Sequence, residues 1–228
     1  MSLRAVIFDL FGTLVDNFSV AEHRKVLGEM AEAVGAPAEE FAGLWMDTFG
    51  QRAAGAFSSV EGNIEYVCTA LGVVPDQVGV ANAARMRFEL TQRSLGPRRD
   101  AVETLTQLRA RRLKIGLISD CSAEVPALWP RTAFAPLVHA AVFSCQVRVK
   151  KPDPRIYLLA CDRLGVKPEE CLYVGDGSSR ELSGAAAVGM KPVMVRVPYE
   201  TTEATHRVDA EEWEGGKISA LTEVVGLL

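Results

Sequence analysis

The sequence contains five short apolar runs, and most of them end directly in polar or charged residues. The runs are Ala5–Phe8 and residues 113–118, 141–143, 172–174 and 192–197. They are shorter than a typical helix, and strands that are buried on both faces of a parallel sheet have this nearly continuous apolar character. The pattern therefore predicts a parallel β-sheet that is covered on both sides.

Segments with helical spacing separate most of these runs. Apolar residues recur at intervals of three or four within residues 102–108 and 156–164. A chain that alternates strands and helices forms an α/β fold with right-handed crossovers. We therefore expect a Rossmann-like core of three layers, α/β/α. Residues 198–216 are predicted to form a surface loop, and residues 218–228 a closing amphipathic helix.

One long segment interrupts this alternation. From about residue 15 to about residue 95 the sequence has helical patterns and no convincing buried strand. Four helices are predicted there, at residues 20–34, 40–49, 64–71 and 80–95, with Gly35 and Gly72 as stop signals and Gly96-Pro97 as the final break. The economical interpretation is a helical insertion at residues 15–96, between the two parts of the core, residues 1–14 and 97–228.

Composition excludes several classes of protein. The 228-residue chain has a formal net charge of −4 and a pI near 5.5, so a nucleic-acid partner is not expected. No apolar stretch approaches the roughly 20 residues of a membrane-spanning helix, and no signal peptide is recognisable.

The five cysteines are scattered and form no C-x-x-C pair, which favours reduced thiols in a cytoplasmic protein over a disulfide framework or a zinc site. Cys121 is interpreted as an ordinary thiol. The histidines lack metal-ligand spacing and are interpreted as surface residues, namely His23, His139 and His206.

Polar residues stand where the predicted strands stop. Asp9 follows the first strand, Ser119 the second and Asp176 the fourth, and Lys151 lies in the loop after the third. Ligands of parallel sheets bind beyond the carboxyl ends of the strands, so these side chains should converge at one edge. A carboxylate such as Asp9 can attack an electrophilic phosphorus or carbon and form a covalent intermediate. The alternative is that Asp9 only caps a turn.

The run I-F-D-L-F-G-T-L at residues 7–14 resembles the first motif of the haloacid dehalogenase-like hydrolases. The other three motifs of that family are matched, in order and spacing, by Ser119, by Lys151 and by Gly175-Asp176 with Glu181. One large subgroup of the family carries a helical cap between its first and second motifs, and the insertion at residues 15–96 is similar in position and pattern. The resemblance implies a hydrolase with a Rossmann-like core and a helical cap.

The resemblance also implies a magnesium ion. Asp9, Asp176 and the backbone carbonyl of Phe11 would hold the metal, and Glu181 would orient its water ligands. Mg²⁺ prefers oxygen ligands, and it would offset the repulsion among three carboxylates and a phosphate. Judged by its position alone, Glu181 has an alternative role as a solvated acid in the first turn of a helix.

Further groups would act on the substrate. By resemblance, Asp9 is the nucleophile, and Lys151 supplies positive charge against the phosphoryl oxygens. Ser119 and backbone amides near Leu10 would donate hydrogen bonds to the transferring group. In the cap, Arg52 is a candidate for binding a substrate carboxylate or a second phosphate, with a solvated helix arginine as the alternative. Together these assignments predict a magnesium-dependent phosphatase of a small phosphorylated metabolite.

One position departs from the phosphatase pattern. Phosphatases of the family usually carry a second aspartate two residues after the nucleophile, where it exchanges protons with the leaving alcohol and with water; that residue is Phe11 here. General acid–base catalysis typically contributes ~10²–10⁴-fold. Three explanations for Phe11 are open. Another group takes over the proton transfer, or the leaving group departs without a proton, or the reaction is not phosphate hydrolysis. A metal-independent 2-haloacid dehalogenase is the main rival, and a binding or regulatory protein of the same fold is another alternative. Gly175-Asp176 favours the metal-dependent enzyme, because the dehalogenases carry serine-based polar residues there.

Overall fold

The computed structural model describes residues 2–17, 19–199, 209 and 212–228. The strands in this part of the chain are β1 (Ala5–Phe8), β2 (Lys114–Ser119), β3 (Ala140–Phe143), β4 (Cys171–Gly175), β5 (Lys191–Val195) and β6 (Gly216–Ile218). They form one sheet in the order β3-β2-β1-β4-β5-β6, and every neighbouring pair is parallel. The predicted parallel sheet is confirmed, and each of the five apolar runs lies in or overlaps a strand.

Helices occupy the segments between the strands. The helices between β1 and β2 are α1 (Val20–Ala33), α2 (Ala38–Asp47), α3 (Phe49–Ala53), α4 (Val60–Ala70), α5 (Gln77–Ser94) and α6 (Ala101–Ala110). Those that follow β2 are α7 (Glu124–Leu128), α8 (Ser144–Val147), α9 (Pro154–Leu164) and α10 (Glu181–Ala187). Three of the four predicted helices of the insertion match α1, α4 and α5 to within a few residues, and the fourth prediction spans α2 and the start of α3. Within the described residues, no helix is both long enough and apolar enough to cross a membrane.

The sheet is buried on both faces. Val6 and Phe8 of β1 pack in an apolar cluster with Leu105 of α6. Ala5 and Ile7 point the other way and pack in a second cluster that includes residues of α9 and α10. This alternation follows from the pleat of the strand, and it explains why β1 is apolar at every position. The three-layer α/β/α arrangement is confirmed.

The helices α1, α2, α4 and α5 share an apolar core of their own. Trp45 of α2, Ile64 of α4 and Leu90 of α5 belong to a cluster distinct from the two clusters of the sheet. Side chains cap the helix starts, since Ser59 accepts a hydrogen bond at the first turn of α4 and Asp76 does so at the first turn of α5. The helices therefore form a packed unit, and its function as a substrate cap stays a prediction.

The connections to this helical unit lie side by side. Val15 forms an antiparallel bridge with Pro97, and the backbone N–H of Arg98 donates to the carbonyl of Leu14 over 2.9 Å. Arg98 Nε also donates to Asp16 Oδ1 over 2.9 Å. The chain thus leaves the core and returns to it at one place, directly beyond the loop that follows β1.

The prediction for the end of the chain was wrong. Gly216–Ile218 is a strand that pairs with β5, and Leu221–Leu227 is a 3₁₀ helix, where residues 218–228 were expected to form one amphipathic helix. The strand has only three residues, too few for a periodicity to appear in the sequence. The apolar residues of the 3₁₀ helix pack against the sheet, which gave the misleading helical pattern. The loop predicted at residues 198–216 lies largely outside the described residues.

Candidate active site

Three carboxylates and one lysine meet beyond the carboxyl ends of β1 and β4. Asp9 directly follows β1, Asp176 directly follows β4, and Glu181 is the first residue of α10. Each of these carboxylates offers an oxygen, and the three oxygens lie within 4.8 Å of one another. Lys151, from the loop before α9, bonds to two of the carboxylates. All four residues are at most 4% exposed, so the fold brings together residues that are 172 positions apart in the chain.

Lys151 is held from two sides. Its Nζ donates to Asp9 Oδ1 over 2.6 Å and also to Glu181 Oε2. Its backbone N–H donates to Asp120 Oδ1 over 3.0 Å, so Asp120 helps to fix this loop. The neighbouring Lys150 is exposed. The lysine that faces the carboxylates is therefore Lys151.

Glu181 is fixed by protein donors on both oxygens. Oε2 accepts from Tyr173 Oη over 2.8 Å as well as from Lys151, and Oε1 accepts from the backbone N–H of Gly177 over 3.0 Å. The alternative of a solvated first-turn acid is wrong, because Glu181 is 0% exposed. Sequence reasoning missed Tyr173, although strand alternation was a usable signal, since Tyr173 and Gly175 share a face of β4.

Two glycines make room for the carboxylates. A Cβ on Gly175 would overlap Glu181 Oε1, and a Cβ on Gly12 would overlap Asp176 Oδ2. Gly12 also has φ +81, a left-handed conformation that glycine adopts at little cost. The glycines of the first and fourth motifs therefore serve the packing of the acidic cluster itself.

The electrostatic environment is net negative. Burial raises the pKa of Asp9 to about 6, with Lys151 opposing the rise and Asp176 adding to it. Burial, together with the nearby Asp9, also raises the pKa of Glu181 well above its usual value. Burial disfavours the charge on Lys151, but the neighbouring carboxylates outweigh it and raise the pKa of Lys151 well above the usual value. Three carboxylates beside one lysine form an oxygen-rich site that a divalent cation would suit.

Two other groups were predicted to donate hydrogen bonds to the substrate, the hydroxyl of Ser119 and the backbone amide of Leu10. Ser119 ends β2 and is 1% exposed, and its hydroxyl has no hydrogen-bond partner in the described part of the protein. The backbone amide of Leu10 lowers the pKa of Asp9, but burial outweighs it. Phe11 is partly buried and packs against the larger apolar cluster of the sheet. The hydroxyl of Ser119 thus has no partner among the described residues, and the Leu10 amide favours the charged form of the candidate nucleophile.

Arg52 lies in the helical unit, apart from the acidic cluster. It is 4% exposed, so the alternative of a solvated arginine is wrong. Its Nη1 donates to the Trp45 carbonyl over 2.6 Å, to Thr48 Oγ1 over 2.8 Å and to Asn63 Oδ1 over 3.1 Å, and its Nε has no partner among the described residues. Arg52 lines a cavity of about 10 Å³ whose other wall includes Glu124 of the core.

A buried ion pair joins the helical unit to the core, and no motif marks it. Arg87 Nε of α5 lies 2.8 Å from Glu124 Oε1 of α7, and the two side chains are 6% and 1% exposed. The hydroxyl of Ser122 donates to the same carboxylate oxygen over 2.8 Å. Glu124 follows Ser119 by five residues, so this contact places the helical unit beside the loop that ends β2.

One histidine belongs to the same contact. His23 Nε2 lies 3.1 Å from Arg87 Nη1, so the interpretation of His23 as a surface residue is wrong. Burial, reinforced by Arg87, lowers the pKa of His23 to about 4. His139 is exposed as interpreted, and His206 lies outside the described residues.

A family model described as haloacid dehalogenase-like hydrolase matches residues 3–189 of the chain. The chain belongs to this family. This chain is 29% identical over 237 residues to glyceraldehyde 3-phosphate phosphatase of Methanopyrus kandleri. The alignment covers 98% of this chain and 97% of the relative. The chain is also 27% identical over 224 residues to (S)-2-haloacid dehalogenase 4A of Burkholderia cepacia, with 92% of each chain covered.

The fold comparison agrees with this membership. The crystal structure of a HAD phosphatase from Thermococcus onnurineus matches with a TM-score of 0.66 and 21% identity, over 99% of this chain and 97% of the other. The predicted family is confirmed, and so is the hydrolase fold with its parallel sheet. Because the relatives are named for two different reactions, membership alone does not choose between a phosphatase and a dehalogenase.

Proposed function

We propose that this hydrolase is a magnesium-dependent phosphatase that acts on a small phosphorylated molecule through Asp9. The observation that carries the proposal is the buried cluster of Asp9, Asp176 and Glu181, whose oxygens lie within 4.8 Å of one another. Lys151 offsets part of its negative charge. Burying unpaired charge is costly, and hard oxygen ligands suit Mg²⁺, so the residues fit this metal.

We assign the acidic residues to two roles. Asp9, Asp176 and the backbone carbonyl of Phe11 are the groups that we assign to the metal. Both oxygens of Glu181 already accept hydrogen bonds from protein donors, so its principal role is to hold Lys151 and order the site. When bound, the ion would withdraw charge from the phosphoryl oxygens and allow the Asp9 carboxylate to approach them.

The residues of the chain supply the remaining chemistry. An oxygen of Asp9 attacks phosphorus, the phosphorus–oxygen bond to the leaving group breaks, and water then releases phosphate from the aspartyl intermediate. Lys151 orients Asp9 and offers positive charge to the phosphoryl group, and the free hydroxyl of Ser119 donates a hydrogen bond to it. Phe11 donates no proton, so esters whose leaving groups are stable as anions should react fastest.

We further propose that Arg52 selects substrates that carry a second acidic group. Its guanidinium is buried, has no carboxylate partner within the described residues, and keeps Nε unpaired beside the cavity that faces Glu124. Burial, reinforced by Arg87, lowers the pKa of Arg52 to about 9, and the charge of Glu124 opposes this only in part. A carboxylate or second phosphate of the substrate would add a negative charge and form charge-assisted hydrogen bonds.

A 2-haloacid dehalogenase is the second candidate. Phe11 favours it, because halide leaves without a proton, and a relative with 92% coverage is named (S)-2-haloacid dehalogenase 4A. Gly175 argues against it. A serine at this position, of the kind found in the dehalogenases, would place a Cβ on Glu181 and disturb the carboxylates that the phosphatase needs.

Parallel assays on the purified full-length chain separate these candidates. p-Nitrophenyl phosphate and glyceraldehyde 3-phosphate are offered with magnesium or with EDTA, and 2-chloropropionate is offered under both conditions. We expect phosphate release that requires magnesium and is lost in Asp9→Asn, which controls for contaminating phosphatases. Chloride release in EDTA would establish the dehalogenase, and inactivity towards all of these substrates would favour a binding or regulatory protein.

The role of Arg52 has a separate test. Arg52→Ala should raise KM for a substrate with a second acidic group and leave KM for p-nitrophenyl phosphate unchanged. Arg24→Ala is the matched control, because Arg24 is exposed on α1. Equal KM values for Arg52→Ala and the wild type on both substrates would remove Arg52 from the substrate pocket.

A further inference from the structure

Two cysteines lie at equivalent positions beside the candidate active site, and the proposed reaction uses neither. Cys121 is two residues beyond Ser119, and Cys145 is two residues beyond Phe143. Ser119 and Phe143 are paired in the register of β2 and β3. Neighbouring strands are about 4.7–4.9 Å apart, so the two cysteines leave adjacent strands at the same level.

The turns that carry these cysteines are bonded to each other. The backbone N–H of Cys121 donates to Ser144 Oγ over 3.0 Å, and Ser144 immediately precedes Cys145. Both cysteines also contact the same apolar cluster. A disulfide requires Cα atoms about 4.4–6.8 Å apart, and this hydrogen bond holds the two segments that carry the cysteines against each other.

The two thiols differ in access and in acidity. Cys121 is 2% exposed, whereas Cys145 is partly exposed and lines a groove of about 500 Å³ between α7, α8 and residues 55–58. A hydrogen bond from the Cys121 thiol lowers the pKa of Cys145, and burial raises the pKa of Cys121 well above its usual value. The thiolate is the reactive form of cysteine, so Cys145 is the thiol that an oxidant meets first.

We propose that Cys145 and Cys121 form a peroxide-sensitive pair that closes into a disulfide beside the active site. The Cys145 thiolate attacks a hydroperoxide, its oxygen–oxygen bond breaks, and the sulfur is oxidised to a sulfenic acid while hydroxide or alkoxide leaves. The Cys121 sulfur then attacks Cys145. The sulfur–sulfur bond forms, the sulfur–oxygen bond breaks, and the hydroxyl leaves as water with the thiol proton of Cys121. In sum, two thiols and one hydroperoxide give a disulfide, one water and one alcohol, or a second water when the oxidant is hydrogen peroxide.

The chain contains an internal comparison for this proposal. Cys161 and Cys171 have sulfurs 3.7 Å apart, but they are only 3% and 0% exposed. This second pair is therefore close but shielded from solvent, whereas Cys145 opens onto a groove. If access through the groove controls the reaction, only the first pair should oxidise in the folded protein.

The experiment treats the folded full-length protein with hydrogen peroxide, blocks remaining thiols with N-ethylmaleimide, and analyses tryptic peptides by mass spectrometry without reduction. We expect a disulfide between peptides 115–131 and 132–148 that disappears when dithiothreitol precedes the blocking step. Peptides 156–163 and 164–180, which carry the shielded pair, should stay unlinked. In Cys121→Ser, dimedone should trap Cys145 as a sulfenic acid.

Three results would overturn the proposal. One is the absence of the link between peptides 115–131 and 132–148 at peroxide doses that convert Cys145 to a sulfinic acid. Another is a Cys145 that stays fully reduced in both the wild type and Cys121→Ser. The third is oxidation of the shielded pair before the exposed one. Circular dichroism of each protein before treatment establishes that the reactions take place in the folded state, and these readouts do not depend on the proposed phosphatase activity.

Discussion

Replacing Glu124 by glutamine should destabilise this hydrolase strongly. The carboxylate is 1% exposed and its Oε1 accepts from Arg87 Nε and from Ser122 Oγ, each over 2.8 Å. Removing one partner of a buried ion pair costs about 3–5 kcal/mol, because the other charge is left buried and unpaired. In a domain of this size each kcal/mol shifts Tm by about 2–4 °C, so we expect Tm to fall by roughly 6–20 °C.

The matched control is an exposed ion pair on the helix that carries Arg87. Arg85 and Glu89 of α5 are 2.7 Å apart, but their side chains are 58% and 50% exposed. Exposed pairs contribute only about 0–1 kcal/mol, so Glu89→Gln should have little effect. Because the two pairs have nearly equal lengths, the difference between the variants measures the effect of burial.

Urea unfolding at pH 7.5, followed by circular dichroism and tryptophan fluorescence, gives the free energy of unfolding for each variant. Burial alone would raise the pKa of Glu124, but Arg87 and the hydrogen bonds lower it overall. A depressed carboxyl pKa stabilises the folded state above the unfolded-state pKa, so the advantage of the wild type over Glu124→Gln should disappear as the solution is acidified through the folded pKa. If Glu124→Gln costs no more than Glu89→Gln at pH 7.5, the reasoning from burial is refuted.

Two further predictions concern the site and the contact between the helical unit and the core. Gly12→Ala should abolish phosphate release and lower the free energy of unfolding, because its Cβ would overlap Asp176 and φ at this position is +81. The control Gly28→Ala places a Cβ that meets nothing within 4 Å, and it should stabilise α1 by up to about 1 kcal/mol. Equal unfolding curves for the two variants would contradict this prediction. Burial and Arg87 lower the pKa of His23 from 6.5 to about 4, so the folded state binds this proton less readily than the unfolded state. The free energy of unfolding should therefore keep its full value above pH 6.5 and decrease between pH 6.5 and about 4. In urea titrations, His23→Gln should remove that decrease. Parallel pH curves for the wild type and the variant would show that His23 makes no contribution.

Local sequence patterns predicted the elements that are continuous in the chain. The run Ala5–Phe8 was recognisable as a buried strand because both faces of the sheet are covered. Gly35 and Gly72 were recognisable as helix stops, and both adopt the positive φ that glycine favours after a helix. The three-residue strand Gly216–Ile218 was not recognisable, because it depends on pairing with β5 rather than on any pattern of its own.

The candidate site was predictable where its residues sit at strand ends. Asp9 and Asp176 directly follow β1 and β4, so strand positions alone bring them to the same edge. Partners supplied by distant segments were not predictable. Asp209, for example, accepts hydrogen bonds from the backbone N–H groups of Leu182 and Ser183 at the start of α10, from a position 27 residues beyond the first of them. No sequence pattern near Asp209 predicts that role.

The acidic cluster and the missing proton donor depend on different parts of the structure. Glu181 occupies the space that a side chain at Gly175 would need, and it shares Lys151 with Asp9. A larger residue at position 175 would therefore displace Glu181, release one side of Lys151 and change the charge around Asp9. Phe11 packs against the apolar cluster on one face of the sheet, and replacing it requires none of these changes. The side chain at position 11 can therefore change without disturbing the carboxylate cluster, whereas a side chain at position 175 cannot.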